Sequence, residues 1–120
     1  MKSEKEMLKL LYEALEEKKA EEIKVLDLHG ITVIADYFVI AGGLNKNQLQ
    51  AMADHVEEVL RKAGFLPRQI EGYSTANWIL MDYTDVVIHL FSREDRLFYD
   101  LEKIWADAKR IDVADIEKLK

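Results

Sequence analysis

The sequence predicts an α/β protein in which helices pack on a mixed sheet of five strands. Apolar residues recur at helical spacing in two segments, residues 4–19 and 45–63. Short runs rich in β-branched and aromatic residues lie between and after these segments. The resulting order α-β-β-α-β-β-β-α favours a layered architecture, because each amphipathic helix must bury its apolar face against a sheet.

The first helix and the first two strands follow from simple patterns. Residues 4–19 place their apolar side chains on one helical face and Lys and Glu on the other. Ile23–Leu28 reads as a strand that ends at His29-Gly30. Tyr37–Ala41 is a continuous apolar run, typical of a strand buried on both faces, and Gly42-Gly43 ends it.

The second helix has start and stop signals. Asn45 can cap its first turn, and Gln48 stands three residues later, as in a capping box. Gly64 suits the position just after the helix, and Pro67 prevents continuation. The apolar stripe of this helix consists of Leu49, Met52, Ala53, Val56, Val59, Leu60 and Ala63.

Three strands and a last helix complete the domain. Arg68–Tyr73 is polar and is expected near a sheet edge. Trp78–Tyr83 and Asp85–Phe91 are separated only by Thr84 and its flanks, so they should pair as a hairpin, with the more apolar second strand lying centrally. Ser92 can cap the last helix. Its inner face would carry Leu97, Phe98, Leu101, Ile104 and Trp105.

Length and charge limit the domain count and the partners. The chain has 120 residues, which suits one domain. Residues 1–106 are expected to form it, and residues 107–120 to form a C-terminal tail that is a short helix or frays. The formal net charge of −6 opposes binding to phosphates. We therefore expect no direct RNA binding, and a basic protein is the partner that this charge fits best.

Cysteine content and hydropathy exclude other classes. Because the chain has no cysteine, a disulfide framework and a thiolate metal site are excluded. The N-terminal segment is rich in Lys and Glu and lacks the apolar stretch of a signal peptide. No apolar run approaches the roughly 20 residues that span a bilayer. We expect a cytoplasmic protein with no membrane partner.

The sequence predicts neither a metal site nor a cofactor site. His29, His55 and His89 have no ligand spacing on one element, and hydrogen-bonded structural roles are the expectation. Gly42-Gly43 runs from a strand into a helix, where backbone N–H groups can hold a phosphate. The stretch lacks G-x-G-x-x-G and a following Lys-Ser/Thr, so a plain turn is the preferred interpretation.

The sequence does not predict a catalytic site either. Asp82 and Asp85 flank the hairpin turn, and a strand-borne acid pair could bind a metal, as in nucleotidyl transferases. That chemistry usually requires acids at i and i+2, which share a strand face, and position 87 is Val87. Asp is also common beside turns for its own backbone hydrogen bonds. No catalytic residue is therefore assigned.

The tryptophan-bearing strand is the candidate contact site. Trp78, Leu80 and Asp82 share one face of an extended strand, while Met81 and Tyr83 share the other with Ile79. Helices need cover only one face of the sheet, so the other face could offer an apolar patch to a partner. Residue types alone slightly favour the other interpretation, a strand buried on both faces, and leave both open.

Several stretches of the chain together match the pattern of one known family. The most specific part joins W-x-L-x-D at residues 78–82 to D-V-V-x-H at residues 85–89, preceded by Glu71-Gly72. Further matching stretches are residues 36–40, 53–57 and 99–105. Together these stretches resemble the ribosomal silencing factors (Iojap-like proteins). The resemblance covers roughly residues 5–106, so the domain expected at residues 1–106 would be a silencing-factor domain.

The resemblance implies a fold and a function. The family has a nucleotidyltransferase-like fold without the catalytic acids of the transferases. Its members bind ribosomal protein L-fourteen of the large subunit where the small subunit docks, hinder subunit joining and lower translation. Carried over to this chain, the patch comprises Asn77, Trp78, Leu80, Met81, Asp82 and Tyr83. An apolar patch of this kind also allows a homodimer of the free protein.

Two alternatives stay open beside this interpretation. One is a divergent nucleotidyltransferase with a metal site near Asp82 or Asp85. The other is a helper of large-subunit assembly that uses the same patch. The sequence departs from the family at Thr84, where members commonly have Gly. It departs again around Gly42, where members often have Ser or Thr and this chain has Ala41 and Gly43.

Overall fold

In a computed structural model, which describes residues 4–30, 33, 35–92 and 109–111, two helices cover one face of a sheet. The predicted mixed α/β architecture is confirmed. The helices are α1 (Glu4–Glu17) and α2 (Lys46–Lys62). The strands are β1 (Glu21–Asp27), β2 (Tyr37–Gly43), β3 (Gln69–Glu71), β4 (Trp78–Asp82), β5 (Val86–Ser92) and β6 (Lys109–Ile111).

The sheet is mixed because one central pair of strands is parallel. Among the described residues the strand order is β3-β4-β5-β2-β1-β6. β2 and β5 run parallel, and the other neighbours are antiparallel. The predicted hairpin forms between β4 and β5, with Trp78 opposite Phe91 and Leu80 opposite His89. β5 is central and the polar β3 is an edge strand, as the sequence predicted.

The two helices enclose the larger apolar core. Odd-numbered residues of β2 and β4, such as Val39 and Ile79, point towards α1 and α2 and are fully buried. Leu11 and Leu60 come from the helices and have no exposed surface. Truncating such a side chain to alanine typically costs about 2–5 kcal/mol. This layer therefore fixes which face of each strand remains for other contacts.

The start of α2 ties the two helices together. The Asn45 side chain accepts a hydrogen bond from the Gln48 N–H at 2.8 Å, so the predicted cap is confirmed. The Gln48 side chain does not return to Asn45: its oxygen accepts from the Leu44 N–H, and its nitrogen donates to the Lys18 and Lys19 carbonyls. The cap thereby anchors α2 to the end of α1.

A second, smaller apolar cluster lies on the other face of the sheet. Even-numbered residues of β2 and odd-numbered residues of β5, such as Phe38 and Phe91, form its centre. Trp78 and Leu80 from β4 pack against this cluster and are only partly buried. The sheet thus has apolar residues on both faces.

The C-terminal part differs from the sequence-based expectation. Lys109–Ile111 forms β6, which pairs antiparallel with β1, within the tail for which a short helix or fraying was expected. Three residues, two of them basic, carry too little alternation to indicate a strand. The last helix predicted after Ser92 falls on residues 93–108, outside the described residues.

Candidate docking surface

The residues of β4 divide between the two faces of the sheet. Ile79 and Met81 lie under α1 and α2 and are fully buried. Trp78 and Leu80 lie on the opposite face and are half-buried. The pleat imposes this division, because successive side chains of a strand point to opposite faces. Trp78 and Leu80 are therefore the residues of β4 that remain partly exposed, on the face away from the helices.

The six residues assigned to partner binding do not form one surface. Asn77, just before β4, is exposed beside Trp78 and Leu80. Met81 and Tyr83 are buried in the helix-covered core, with exposed fractions of 0% and 5%. Burial also raises the pKa of the Tyr83 hydroxyl. The sequence predicted the alternation correctly, but Met81 and Tyr83 lie on the side that the helices cover.

Asp82 belongs to the structural frame of the hairpin. Its Oδ2 accepts hydrogen bonds from Arg68 Nη2 at 2.7 Å and Nε at 3.1 Å. Its Oδ1 accepts from the Thr84 N–H at 2.8 Å. Both oxygens thus join β3, β4 and the turn, which leaves Asp82 poorly suited to bind the metal of a nucleotidyltransferase. The turn-stabilising interpretation of Asp82 is the one that these contacts support.

Trp78 rests on an aromatic cluster of the second face. Its ring stacks on Phe91 with centroids 5.1 Å apart. Its indole Nε1–H donates to Nδ1 of His89 at 3.1 Å. The His89 ring also meets Phe38 edge-on at 4.7 Å. Trp78 is consequently held by both a stacking contact and a polar contact.

His89 is buried and uncharged. Only 5% of its surface is exposed, and burial lowers its pKa to about 4. Because Nδ1 accepts the indole proton, the ring proton must sit on Nε2. Among the described residues, Nε2 has no hydrogen-bond partner. The hydrogen-bonded histidine that the sequence predicts here is present, and its partner is Trp78.

The loop that leads into β4 is held by contacts that the sequence does not indicate. Gly72 has φ +77°, and a Cβ at this position would lie 2.1 Å from the Trp78 carbonyl oxygen. The Tyr73 hydroxyl donates to Asp54 at 3.0 Å, and Gln50 donates to the Tyr73 carbonyl at 2.9 Å. The loop is therefore pinned to α2 immediately before Trp78.

The end of β2 has the features of a packing site. A Cβ at Gly43 would lie 3.0 Å from Cδ2 of Leu49 and 3.3 Å from the sulfur of Met52. The N–H groups of Leu44 and Gln48 at the start of α2 already donate to side chains of the chain itself. These contacts support a turn, as the sequence predicted, over a phosphate cradle.

One group of described side chains has the chemistry of a metal site. Glu4, His29 and Asp36 each contribute a ligand atom, and these atoms lie within 4.8 Å of one another. Nδ1 of His29 lies 2.6 Å from Asp27, and burial and then Asp36 raise the pKa of Glu4 to about 7. The group could hold a divalent cation. The sequence does not indicate this group, because its members come from separate parts of the chain.

This group lies away from the tryptophan. The Asp36 N–H donates to the Asp85 carbonyl at 2.8 Å, which places the group beside the turn between β4 and β5. Trp78 stands at the opposite end of β4. The two features are therefore separate.

The described residues contain no helix long and apolar enough to cross a membrane. The fold defines the class of protein: an α/β domain in which two helices cover one face of a mixed sheet and Trp78 lies half-buried on the other face. The family follows from comparison with known proteins. The chain belongs to the ribosomal silencing factors, since the family model described as "Ribosomal silencing factor during starvation" (RsfS) matches residues 1–120. The proteins of this family are named as silencing factors and not as enzymes.

Individual relatives and solved structures agree with this assignment. The chain is 39% identical over 114 residues to "Ribosomal silencing factor RsfS" of Halalkalibacterium halodurans, covering 95% of this chain and 97% of the relative. It is 32% identical over 99 residues to mouse "Mitochondrial assembly of ribosomal large subunit protein 1", covering 80% of this chain and 43% of that protein. A crystal structure of a Chromobacterium violaceum protein matches with a TM-score of 0.85, 33% identity and 88% of each chain.

Proposed function

We propose that this protein binds the large ribosomal subunit through the face of β4 that carries Trp78, and thereby blocks joining of the small subunit. Family membership supports the ribosome as the target. The observation that carries the choice of surface is Trp78, a large aromatic side chain that is held in place yet only half-buried. Leu80 extends the surface on the same face, and the exposed Asn77 immediately precedes Trp78 in the chain.

A positioned tryptophan suits the centre of an interface. Such aromatic anchors carry roughly 2–4 kcal/mol of binding free energy, which is about 30- to 1000-fold in affinity. The aromatic contacts of Trp78 with Phe91 and His89 restrict its ring before any partner arrives. Less conformational entropy is then lost on binding.

The partner that we propose is the basic ribosomal protein L-fourteen. The net charge of −6 favours a basic protein and disfavours bare RNA. A factor bound at the subunit interface needs no catalysis, since it acts by occupying space. Because it binds the free large subunit and not the joined ribosome, it shifts the joining equilibrium by mass action.

Co-sedimentation with separated ribosomal subunits tests the proposal. We expect the protein to pellet with large subunits and not with small ones, and Trp78→Ala to weaken that binding at least 30-fold. Glu13→Ala is the matched control, because Glu13 is exposed on α1, on the helix-covered side of the sheet. Circular dichroism of each variant checks that the fold is retained. Equal binding by wild type and Trp78→Ala would contradict the proposed surface.

A gel-shift assay tests the choice of a protein partner. Fragments of naked ribosomal RNA should show no shift with this protein, whereas isolated L-fourteen should bind it directly. Sub-micromolar RNA binding would contradict this part of the proposal.

A role in large-subunit assembly is the second candidate. The name of the mouse relative, which concerns assembly of the mitochondrial large subunit, favours it. The same surface around Trp78 would serve both roles, so binding alone does not separate them. Normal rejoining of purified subunits in the presence of bound protein would favour assembly over silencing.

A further inference from the structure

A histidine at position 89 is unexpected among the apolar side chains on the second face of the sheet. It lies on β5 opposite Leu80, among Phe38, Phe91 and Trp78, with 5% of its surface exposed. Among the described residues its Nε2 has no partner. A buried polar group without a partner costs stability, which a phenylalanine in this aromatic setting would not.

The one polar contact of the ring that the structure records leads to the candidate docking surface. Nδ1 of His89 accepts the indole proton of Trp78 at 3.1 Å. The Trp78 ring also stacks on Phe91, which lies directly opposite it across the strand pair. Stacking on Phe91 restrains the plane of the Trp78 ring. It restrains the rotation of the ring within that plane less, because apolar contact has little direction. A hydrogen bond to the single indole N–H selects one orientation.

We propose that His89 is a positioning residue, which uses neutral Nδ1 as a fixed acceptor to hold the Trp78 ring in the orientation that binds the large subunit. This inference rests on the proposed function for the identity of the partner. In this role His89 supports binding although it lowers the stability of the fold. A residue that only filled the core would not show both effects.

Burial supports the assignment because it keeps the acceptor available. The lone pair on Nδ1 exists only while the ring is uncharged, and burial lowers the pKa of His89 to about 4. At neutral pH the ring therefore remains neutral, with its proton on Nε2. No other titratable group is required for the hydrogen bond.

Two variants of His89 separate positioning from packing. His89→Phe keeps an aromatic ring of similar size but removes the acceptor. We expect its stability to equal or exceed that of the wild type, while affinity for the large subunit falls about three- to tenfold. His89→Asn places an amide oxygen near the position of Nδ1 but leaves a gap. We expect it to be less stable and yet to bind within about twofold of the wild type.

NMR of the free protein reads the hydrogen bond directly. The indole N–H resonance that disappears in Trp78→Phe identifies the group. In the wild type we expect this N–H to exchange slowly with solvent, and His89 Nδ1 to show the shift of an unprotonated nitrogen. The exchange should accelerate in His89→Phe and remain slow in His89→Asn. Ile88→Val, on the same strand but under the helices, is the control and should change none of these signals.

The outcomes distinguish this inference from the proposed function. Equal binding by wild type and Trp78→Ala would remove the proposed docking surface, and with it the binding role of His89. Loss of binding in Trp78→Ala but normal binding in a folded His89→Phe would overturn the positioning role alone. A protonated Nδ1 in the wild-type protein would overturn it as well, even if His89→Phe failed to fold.

Discussion

Individual residues before and after β4 have a positive φ, a backbone conformation that residues other than glycine rarely adopt. Gly72 and Ala76, before the strand, have φ of +77° and +53°, and Thr84, after it, has φ of +74°. Such positions cost non-glycine residues about 1–2 kcal/mol each. Their location at the two ends of the strand that carries Trp78 indicates that the turns fix the placement of this strand.

Gly72→Ala should destabilise the protein strongly, because two effects combine at this position. The new Cβ would require a positive φ and would also lie 2.1 Å from the Trp78 carbonyl oxygen. Gly30→Ala is the matched control: its φ is +80°, but no atom of the described residues lies within 4 Å of its Cβ. In chemical denaturation we expect about 1 kcal/mol for the control and more than about 2 kcal/mol for Gly72→Ala. Equal losses of stability in the two variants would show that the backbone near Gly72 and Trp78 moves apart at no cost in free energy.

The stability of the protein should depend on pH through His89. Its pKa is about 4 in the folded protein and 6.5 ordinarily, so the unfolded chain binds the proton more readily. Stability contributed by the neutral ring is therefore complete above pH 6.5 and falls as the pH drops towards 4, by about 3 kcal/mol in total. The raised pKa of Glu4 makes its contribution to stability change with pH in the opposite direction. The measurement is therefore the difference in free energy of unfolding between wild type and His89→Asn, in which the contribution of Glu4 cancels.

That difference should change by about 3 kcal/mol in favour of the variant between pH 6.5 and 4 in urea denaturation. A difference that is constant with pH would show that His89 titrates normally in the folded protein.

At the scale of elements, the sequence indicates most of the fold because local signals and burial agree. The cap of α2 at Asn45 and the central position of β5 follow from residue types alone, and both are confirmed. The alternation along β4 is also predicted correctly. Which face the helices cover depends on how distant elements pack. The patch carried over from the family resemblance therefore includes Met81 and Tyr83, which the helices bury.

The parts of the site that the sequence did not indicate depend on contacts between distant residues. The hydrogen bond from Trp78 to His89 requires the register of the hairpin, and the pinning of Tyr73 by Asp54 requires the position of α2. The triad of Glu4, His29 and Asp36 likewise assembles only in the fold. No spacing rule along a single element would find these contacts.

The turn between β4 and β5 offers a test at the scale of the hairpin. Thr84 stands at φ +74°, a backbone conformation that favours glycine. Thr84→Gly should remove the steric cost and raise the free energy of unfolding by about 0.5–1 kcal/mol, after the added entropy of the unfolded chain is subtracted. Thr75→Gly, at a position without positive φ, should instead destabilise the protein. A loss of stability in Thr84→Gly would show that the Thr84 side chain makes a compensating contact.

At the scale of the whole molecule, the helices and the sheet separate two tasks. α1 and α2 bury one face of the sheet and supply stability through the larger core. On the opposite face, Trp78 and Leu80 remain half-buried beside the exposed Asn77. The acidic net charge of −6 favours approach to a basic protein on the ribosome. Substitutions of Trp78 or Leu80 should therefore disturb the larger core less than substitutions of residues under the helices.

The central claim is that the protein prevents subunit joining by occupying the large subunit through Trp78. Light scattering during rejoining of purified subunits tests it most directly. Preincubation of large subunits with the protein should suppress rejoining and saturate near one copy per subunit, while Trp78→Ala should have little effect and Glu13→Ala should act as the wild type. Preformed ribosomes should resist until they dissociate. Normal rejoining of large subunits that demonstrably carry the protein would contradict the claim.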